Sequence, residues 1–194
     1  QGVRELRRNL RGAAARFRYL WEEPPRDLAE VERRLASADL GGERLGWAVI
    51  ERATGAAEGH FFLMRMAPEH RRIELGNVLF GPRLARTRAA TEAVFLVARH
   101  VLEELGYRRF EWKCDALNAP SRRAALRYGF AFEGIFRRDM IIKGRTRDTA
   151  WYALTDADWP RVRGAFERWL DPANFDAAGR QRRGLEELRA APAP

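Results

Sequence analysis

Residues 107–130, YRRFEWKCDALNAPSRRAALRYGF, restrict the fold of this chain more than any other stretch. Residues 109–114 alternate apolar and polar side chains as a strand does, and the run stops at a polar turn. A short helix, residues 121–128, then opens on Asn118-x-x-Ser121 and closes at Gly129-Phe130, with cap residues at both ends. Upstream, an Arg/Ala-rich turn after Pro82 runs into a second helix over residues 89–104. There Ala93, Val94, Val97, Val101 and Leu102 recur at roughly the 3.6 period, and Gly106 closes the helix. Two helix N-termini set after neighbouring strands make a site for a phosphate-rich ligand, because free N–H groups and the positive end of the dipole point out of each.

The flanking sequence supplies a sheet. Residues 45–51, 59–67 and 72–80 read as three strands at short intervals, an antiparallel meander whose turns carry Ala53-Thr54-Gly55 and Pro68 to Arg71. Residues 130–142 and 148–154 read as a long hairpin turning at Lys143-Gly144. A closing helix over 156–170 tolerates Pro160 in its first turn. Ahead of the meander, residues 27–35 place acids first and arginines last, as a helix dipole prefers. The order strands, helix, strand, helix, hairpin, helix specifies a mixed α/β sheet. It fits one domain over residues 1–170, followed by a polar tail at 171–194 with a peripheral helix at 181–190 and a frayed end.

Charge narrows the partners. The net charge of +9 rests almost wholly on arginine, since Lys113 and Lys143 are the two lysines. The arginines are spread along the chain and no nucleic-acid recognition motif accompanies them, so nucleic acid is not the expected partner. One cysteine, Cys114, excludes an internal disulfide framework and suits a reducing cytoplasm; on a strand it reads as packing, not as a nucleophile. No apolar run reaches 18 residues, so neither a membrane span nor a secretory signal is expected. The three histidines lack ligand spacing, and no metal is expected.

From residue 46 to residue 158 the chain resembles the GNAT N-acetyltransferases, in the RimJ/RimL-like branch that includes ribosomal-protein alanine acetyltransferases. The resemblance rests on Ile73-Glu74-Leu75-Gly76, Thr91-Glu92-Ala93, Asn118-x-x-Ser121 with Gly129-Phe130, Glu133-Gly134 and Arg147-Asp148-Thr149, all in the family's order. It implies an acyl-CoA N-acyltransferase fold and acetyl-CoA as co-substrate. It implies an amine acceptor too, whether protein N-terminus, amino acid or small amine, attacked directly in a ternary complex. By that resemblance Arg83, Arg86 and Arg88, with the amides of Thr87, Arg88, Ala89 and Ala90, hold the pyrophosphate, while Asn118 and Ser121 line the pantetheine side. The strand at 75–79 carries a bulge facing the thioester and splays from the strand at 109–114. Two features depart from the family: Arg88 stands where its cofactor loop has glycine, and residues 1–25 do not match its opening strand.

Acetyl transfer needs a neutral amine and a base to take its proton. Glu74 is the first candidate, with a structural ion pair as the equal alternative. Asp115 is the second, although a turn residue there is the simpler reading. His60 and His70 are further candidate bases, although His70, in a turn, reads as solvated. The tyrosine that many family members place on the Asn-led helix is Ala125 here. Ser121 is left to bond the departing sulfur or to satisfy the helix N-terminus. Trp47, Trp112 and Trp151 read as core or acceptor-cleft residues, and Trp159 and Trp169 as packing the closing helix onto the sheet or onto a second copy in a homodimer. A non-catalytic acyl-CoA-binding module and a basic ribosome- or RNA-associated protein are the rival functions.

Overall fold

The computed structural model describes residues 17–24, 30, 33 and 44–191. Six strands form one sheet: β1 (Arg44–Ile50), β2 (Ala57–Ala67), β3 (Arg72–Phe80), β4 (Arg109–Asp115), β5 (Ala131–Ile142) and β6 (Arg145–Thr155). From residue 44 onward the described residues form the helices α1 (Arg88–Arg99), α2 (Ala119–Arg127), α3 (Trp159–Leu170) and α4 (Leu185–Ala190). Of the helix expected at 27–35, only Glu30 and Arg33 lie among the described residues, and both are helical.

The sheet order is β1-β2-β3-β4-β6-β5, with every neighbouring pair antiparallel except β3 and β4. A parallel pair needs a long crossover, and α1 supplies it. After Arg99 the helix widens into a π-turn at His100–Glu104, and Gly106 follows at φ +67°. The β5–β6 hairpin turns on Lys143 and Gly144, at φ +51° and +71°. Two consecutive left-handed residues match the twist of an antiparallel pair.

The two faces of the sheet differ in chemistry because alternate side chains point opposite ways. Ile73, Leu75, Phe110, Trp112, Tyr152 and Leu154 pack with Val94, Val97, Val162 and Phe166 of α1 and α3. Glu74, Glu111 and Lys113 occupy the intervening positions, so the other face carries charge at its centre. Gly129, at φ +96°, lets the end of α2 meet α3, where a β-carbon would come within 2.8 Å of Val162 Cγ1.

Several boundaries differ from expectation. The closing helix begins at Trp159 instead of 156, because Thr155 Oγ1 donates to Asp158 Oδ2 (2.6 Å) and holds the preceding turn. The tail beyond 170 is less peripheral than its polarity suggests. Leu185 and Leu188 of α4 enter the main core, and the Arg189 guanidinium donates to the carbonyls of Leu126 and Arg127 at the end of α2. Trp159 and Trp169 are buried within this chain. No helix among the described residues is long and apolar enough to cross a membrane.

Candidate active site

The site begins where β3 and β4 part. Their parallel pairing runs from Arg72↔Arg109 to Leu75↔Trp112 and goes no further. Strand β4 stays on β6 as far as Asp115↔Thr149, while β3 stays on β2. Near its end β3 sets two residues, Asn77 and Val78, against Phe61 alone, a bulge that bends the strand away. Asn77 accommodates the bend in the left-handed region at φ +48°. Gly76, just before it, leaves no room for a side chain, since a β-carbon there would lie 2.3 Å from Met64 Sδ.

The parting opens a cavity of about 680 Å³, walled by Gly76 to Val78, Lys113 to Asp115, Ser121, Arg86, Trp21 and Arg147. That is ample for an extended arm threaded between two strands.

At one end of the cavity stands the loop before α1. Thr87 caps the helix: its Oγ1 accepts from the Ala90 N–H (3.2 Å) and donates to Leu84 O (2.6 Å). The Thr87 N–H itself donates to Leu84 O, and that of Thr91 to Thr87 O. The capping thus occupies two of the four amides expected to hold phosphate, leaving those of Arg88 and Ala89 in the first turn. The three arginines diverge. Arg83 grips buried Glu58 through Nε (3.2 Å) and Nη2. Arg88 Nη2 donates to Leu170 O at the C-terminal end of α3, and its guanidinium lies 4.9 Å from the Phe175 ring centre. A cation suits the negative end of a helix dipole there. Arg86 alone reaches the cavity wall, with its backbone at φ +68°, a conformation usually left to glycine.

Across the splay lies a buried charge cluster. Lys113 Nζ is 3.0 Å from Glu74 Oε2 and 2.7 Å from Glu111 Oε2, so one ammonium ties β3 to β4. Arg109 Nε holds the other oxygen of Glu111 (2.7 Å), and Arg65 Nε stands 3.4 Å from Glu74. Lys113 Nζ also sits 3.8 Å from the Trp151 ring centre. The two carboxylates respond in opposite directions. Burial pushes Glu74 above the usual carboxylate range, although Lys113 and Arg65 pull it down. For Glu111 burial is outweighed by the hydrogen bonds from Lys113 and Arg109, which leave it below that range. Glu74 is therefore both an ion-pair partner and a carboxyl raised above its ordinary range on the cavity wall.

The remaining candidates gather on α2 and the end of β4. Asn118 caps α2 by accepting from the Ser121 N–H (3.2 Å). Ser121 Oγ accepts from Trp112 Nε1 (3.0 Å), and Asp115 Oδ1 from the Leu117 N–H (2.8 Å), a turn contact. All three line the cavity. Ala125, at the expected tyrosine position, is fully buried, but Tyr128 one turn later is part of the wall. Burial pushes its hydroxyl upward, so it stays protonated. Burial also pushes the Cys114 thiol upward, disfavouring a nucleophilic thiolate. His60 and His70 stand outside the wall. Among the described residues no His/Cys/Asp/Glu group could hold a metal.

Sequence reasoning gave neither Lys113 nor Arg147, the latter quoted only within a family motif, a role in the site. Both belong to strings of alternate polar positions, Glu111-x-Lys113-x-Asp115 and Arg147-x-Thr149, on strands buried by their neighbours. That pattern was the available signal.

The model for the acetyltransferase (GNAT) domain matches residues 4–131, beginning well upstream of the motifs quoted above. A GCN5-related N-acetyltransferase from Brucella melitensis superposes with a TM-score of 0.93 at 46% identity, over 96% of this chain and 86% of that one. A probable acetyltransferase of the GNAT family from Chromobacterium violaceum gives 0.78 at 38% identity, over 82% and 80%. The uncharacterized N-acetyltransferase YoaA of Bacillus subtilis is 30% identical over 108 residues, 56% of this chain and 60% of that protein. A splayed parallel pair with a bulge at its mouth, together with a domain model matching well over half of the sequence, places this chain in the GNAT acetyltransferase family.

Proposed function

We propose that the protein is an enzyme that moves an acetyl group from acetyl-CoA to a primary amine by direct attack in a ternary complex. The observation that carries this reading is the end of β3–β4 pairing at Leu75/Trp112, immediately followed by the Asn77–Val78 bulge. The pantetheine arm lies in the opening, its thioester beside the bulge. Backbone N–H groups there meet the oxygen on which negative charge develops, and such fixed donors contribute most in a water-poor slot. The Arg88 and Ala89 amides, with Arg86, bind the pyrophosphate. As the amine attacks, its carbon–nitrogen bond forms, the carbon–sulfur bond breaks, and the ammonium proton passes to Glu74, directly or through water. Ser121 Oγ lies on the wall where the departing sulfur is expected.

The acceptor classes are a protein N-terminus, as RimJ/RimL-like motifs suggest, an amino acid or a small amine. Action in the cytoplasm, and as a homodimer, accompanies this reading. The test is release of free CoA from acetyl-CoA across an amine panel, alongside calorimetry with CoA. Turnover with any amine supports the proposal. Tight CoA binding without turnover would instead favour a non-catalytic acyl-CoA module, a reading that Ala125 in place of tyrosine supports. Salt-sensitive RNA retention without CoA binding would favour the RNA-associated alternative.

A further inference from the structure

Arg147 is a buried charge on the cavity wall that the transfer mechanism leaves unused. It lies on β6 in the cavity wall and is 7% exposed. Its Nε donates to Thr149 Oγ1 (3.1 Å), and its Cζ stands 6.0 Å from the Trp21 ring centre. No other partner holds it among the described residues. The adjacent carboxylate, Asp148, turns instead toward β5, where its Oδ1 accepts from the Arg138 N–H (2.7 Å). Asp115, Asp139 and Glu74 act on Arg147 only from a distance beyond that of an ion pair, and burial is the stronger influence, lowering its pKa.

A guanidinium has five N–H donors in a rigid fork, and one is used here. Its two Nη nitrogens carry no hydrogen bond among the described residues and are not sealed from solvent, so an entering carboxylate can take them without breaking an existing contact. The residue lines the cavity. That space also holds Glu74, Asp115 and Asp139. Its wall therefore presents both signs of charge: carboxylates that favour an ammonium and, besides Arg65 and Lys113 paired with Glu74 and Arg86 in the loop before α1, the planar Arg147 shaped for a carboxylate.

Resting on the acetyltransferase reading, we propose that the acceptor is a zwitterion of the amino-acid type, its carboxylate held by Arg147 while its amine is turned to Glu74. Arg147 is then the residue that selects carboxylated amines over plain ones. A simple alkylamine or a long polyamine leaves Arg147 uncompensated and is disfavoured for that reason.

The experiment measures kcat/KM and, separately, calorimetric binding in the presence of CoA. The probes are free amino acids, each beside its amide and its decarboxylated amine. Among turned-over acceptors, the carboxylated member of a pair is expected to win by about 10- to 100-fold, the range of one charge-assisted fork. R147Q should collapse that ratio toward one and raise KM for the carboxylated acceptor, with CoA affinity retained. R147K, which keeps the charge but loses the fork, should fall between. Equal kcat/KM or equal binding within pairs for the unmodified protein overturns the proposal without any variant. So does an R147Q that weakens CoA and leaves the ratio intact. Carboxylate-selective binding that R147Q abolishes, in a protein with no turnover, upholds the anion site while sinking the acetyltransferase reading. Absence of both binding and turnover sinks the two together, and turnover without carboxylate preference sinks this one alone.

Discussion

His60 is half-buried on β2, its Nδ1 buried with no hydrogen-bond partner and its ring edge-on to Phe62 at 5.7 Å, and desolvation lowers its pKa to about 4. The unfolded chain takes up this proton near the ordinary value of 6.5 and the folded chain only near 4. The fold therefore loses stability as pH falls through that window. Between about pH 7 and pH 4.5 the loss from this one ring is about 2–3 kcal/mol. H60F should remove that part of the acid sensitivity, measured as the difference between denaturation midpoints at the two pH values. Glu74 titrates in the other direction. Its raised pKa moves the acid limb of kcat/KM above the ordinary carboxylate range, because a protonated Glu74 cannot accept the amine's proton. E74Q should lower turnover by roughly 10²-fold or more, abolish that limb and leave CoA affinity nearly unchanged. An unaltered pH profile would remove Glu74 from the mechanism. Which residues lie in the loop before α1 was legible in the sequence; where their side chains go was not. Arg88 reaches a carbonyl 82 positions away, and no local pattern encodes that choice.

The β3–β4 pair is held at its centre by Lys113. K113M leaves Glu74 and Glu111 facing each other, with Arg65 and Arg109 at the sides, and should cost about 3 kcal/mol in urea denaturation. Adding E74Q should restore part of the loss, since it removes one of the two like charges. If K113M were neutral, the cluster would not be what secures the mouth of the splay. At this scale the sequence was informative wherever a motif has a steric cause. Asn118-x-x-Ser121 is a side-chain cap, Gly129 a close crossing of α2 over α3, and Gly76 an approach to Met64. Each constraint is local, or involves one neighbour, and so leaves a readable mark. The cluster of Glu74, Glu111 and Lys113 is different. It exists only because β3 and β4 are adjacent and parallel, and three isolated charges on two strands do not announce their meeting.

Across the molecule, the excess of arginine gives a field that draws anionic ligands. CoA affinity should fall roughly tenfold between about 0.05 M and 0.5 M salt, most of it in the association rate, as long-range attraction is screened. A salt-independent affinity would mean that the bound contacts alone, and not the surrounding charge, set recognition. The order of strands and helices was readable along the chain because each run carries its own period and punctuation. The sides of the cavity were not, because they come from remote pieces. Lys143 Nζ and Arg145 Nη2, in and beside the β5–β6 turn, donate to the carbonyls of Phe17 (2.9 Å) and Arg18 (3.4 Å). This draws Tyr19, Leu20 and Trp21 against the opening. A chain shortened to start after Trp21 would keep the coenzyme slot, yet its thioester would stand bare to water on the flank where an acceptor should dock. Slow hydrolysis would then compete with transfer, and the tether between residues 17–18 and a distant hairpin would show itself as protection against that leak.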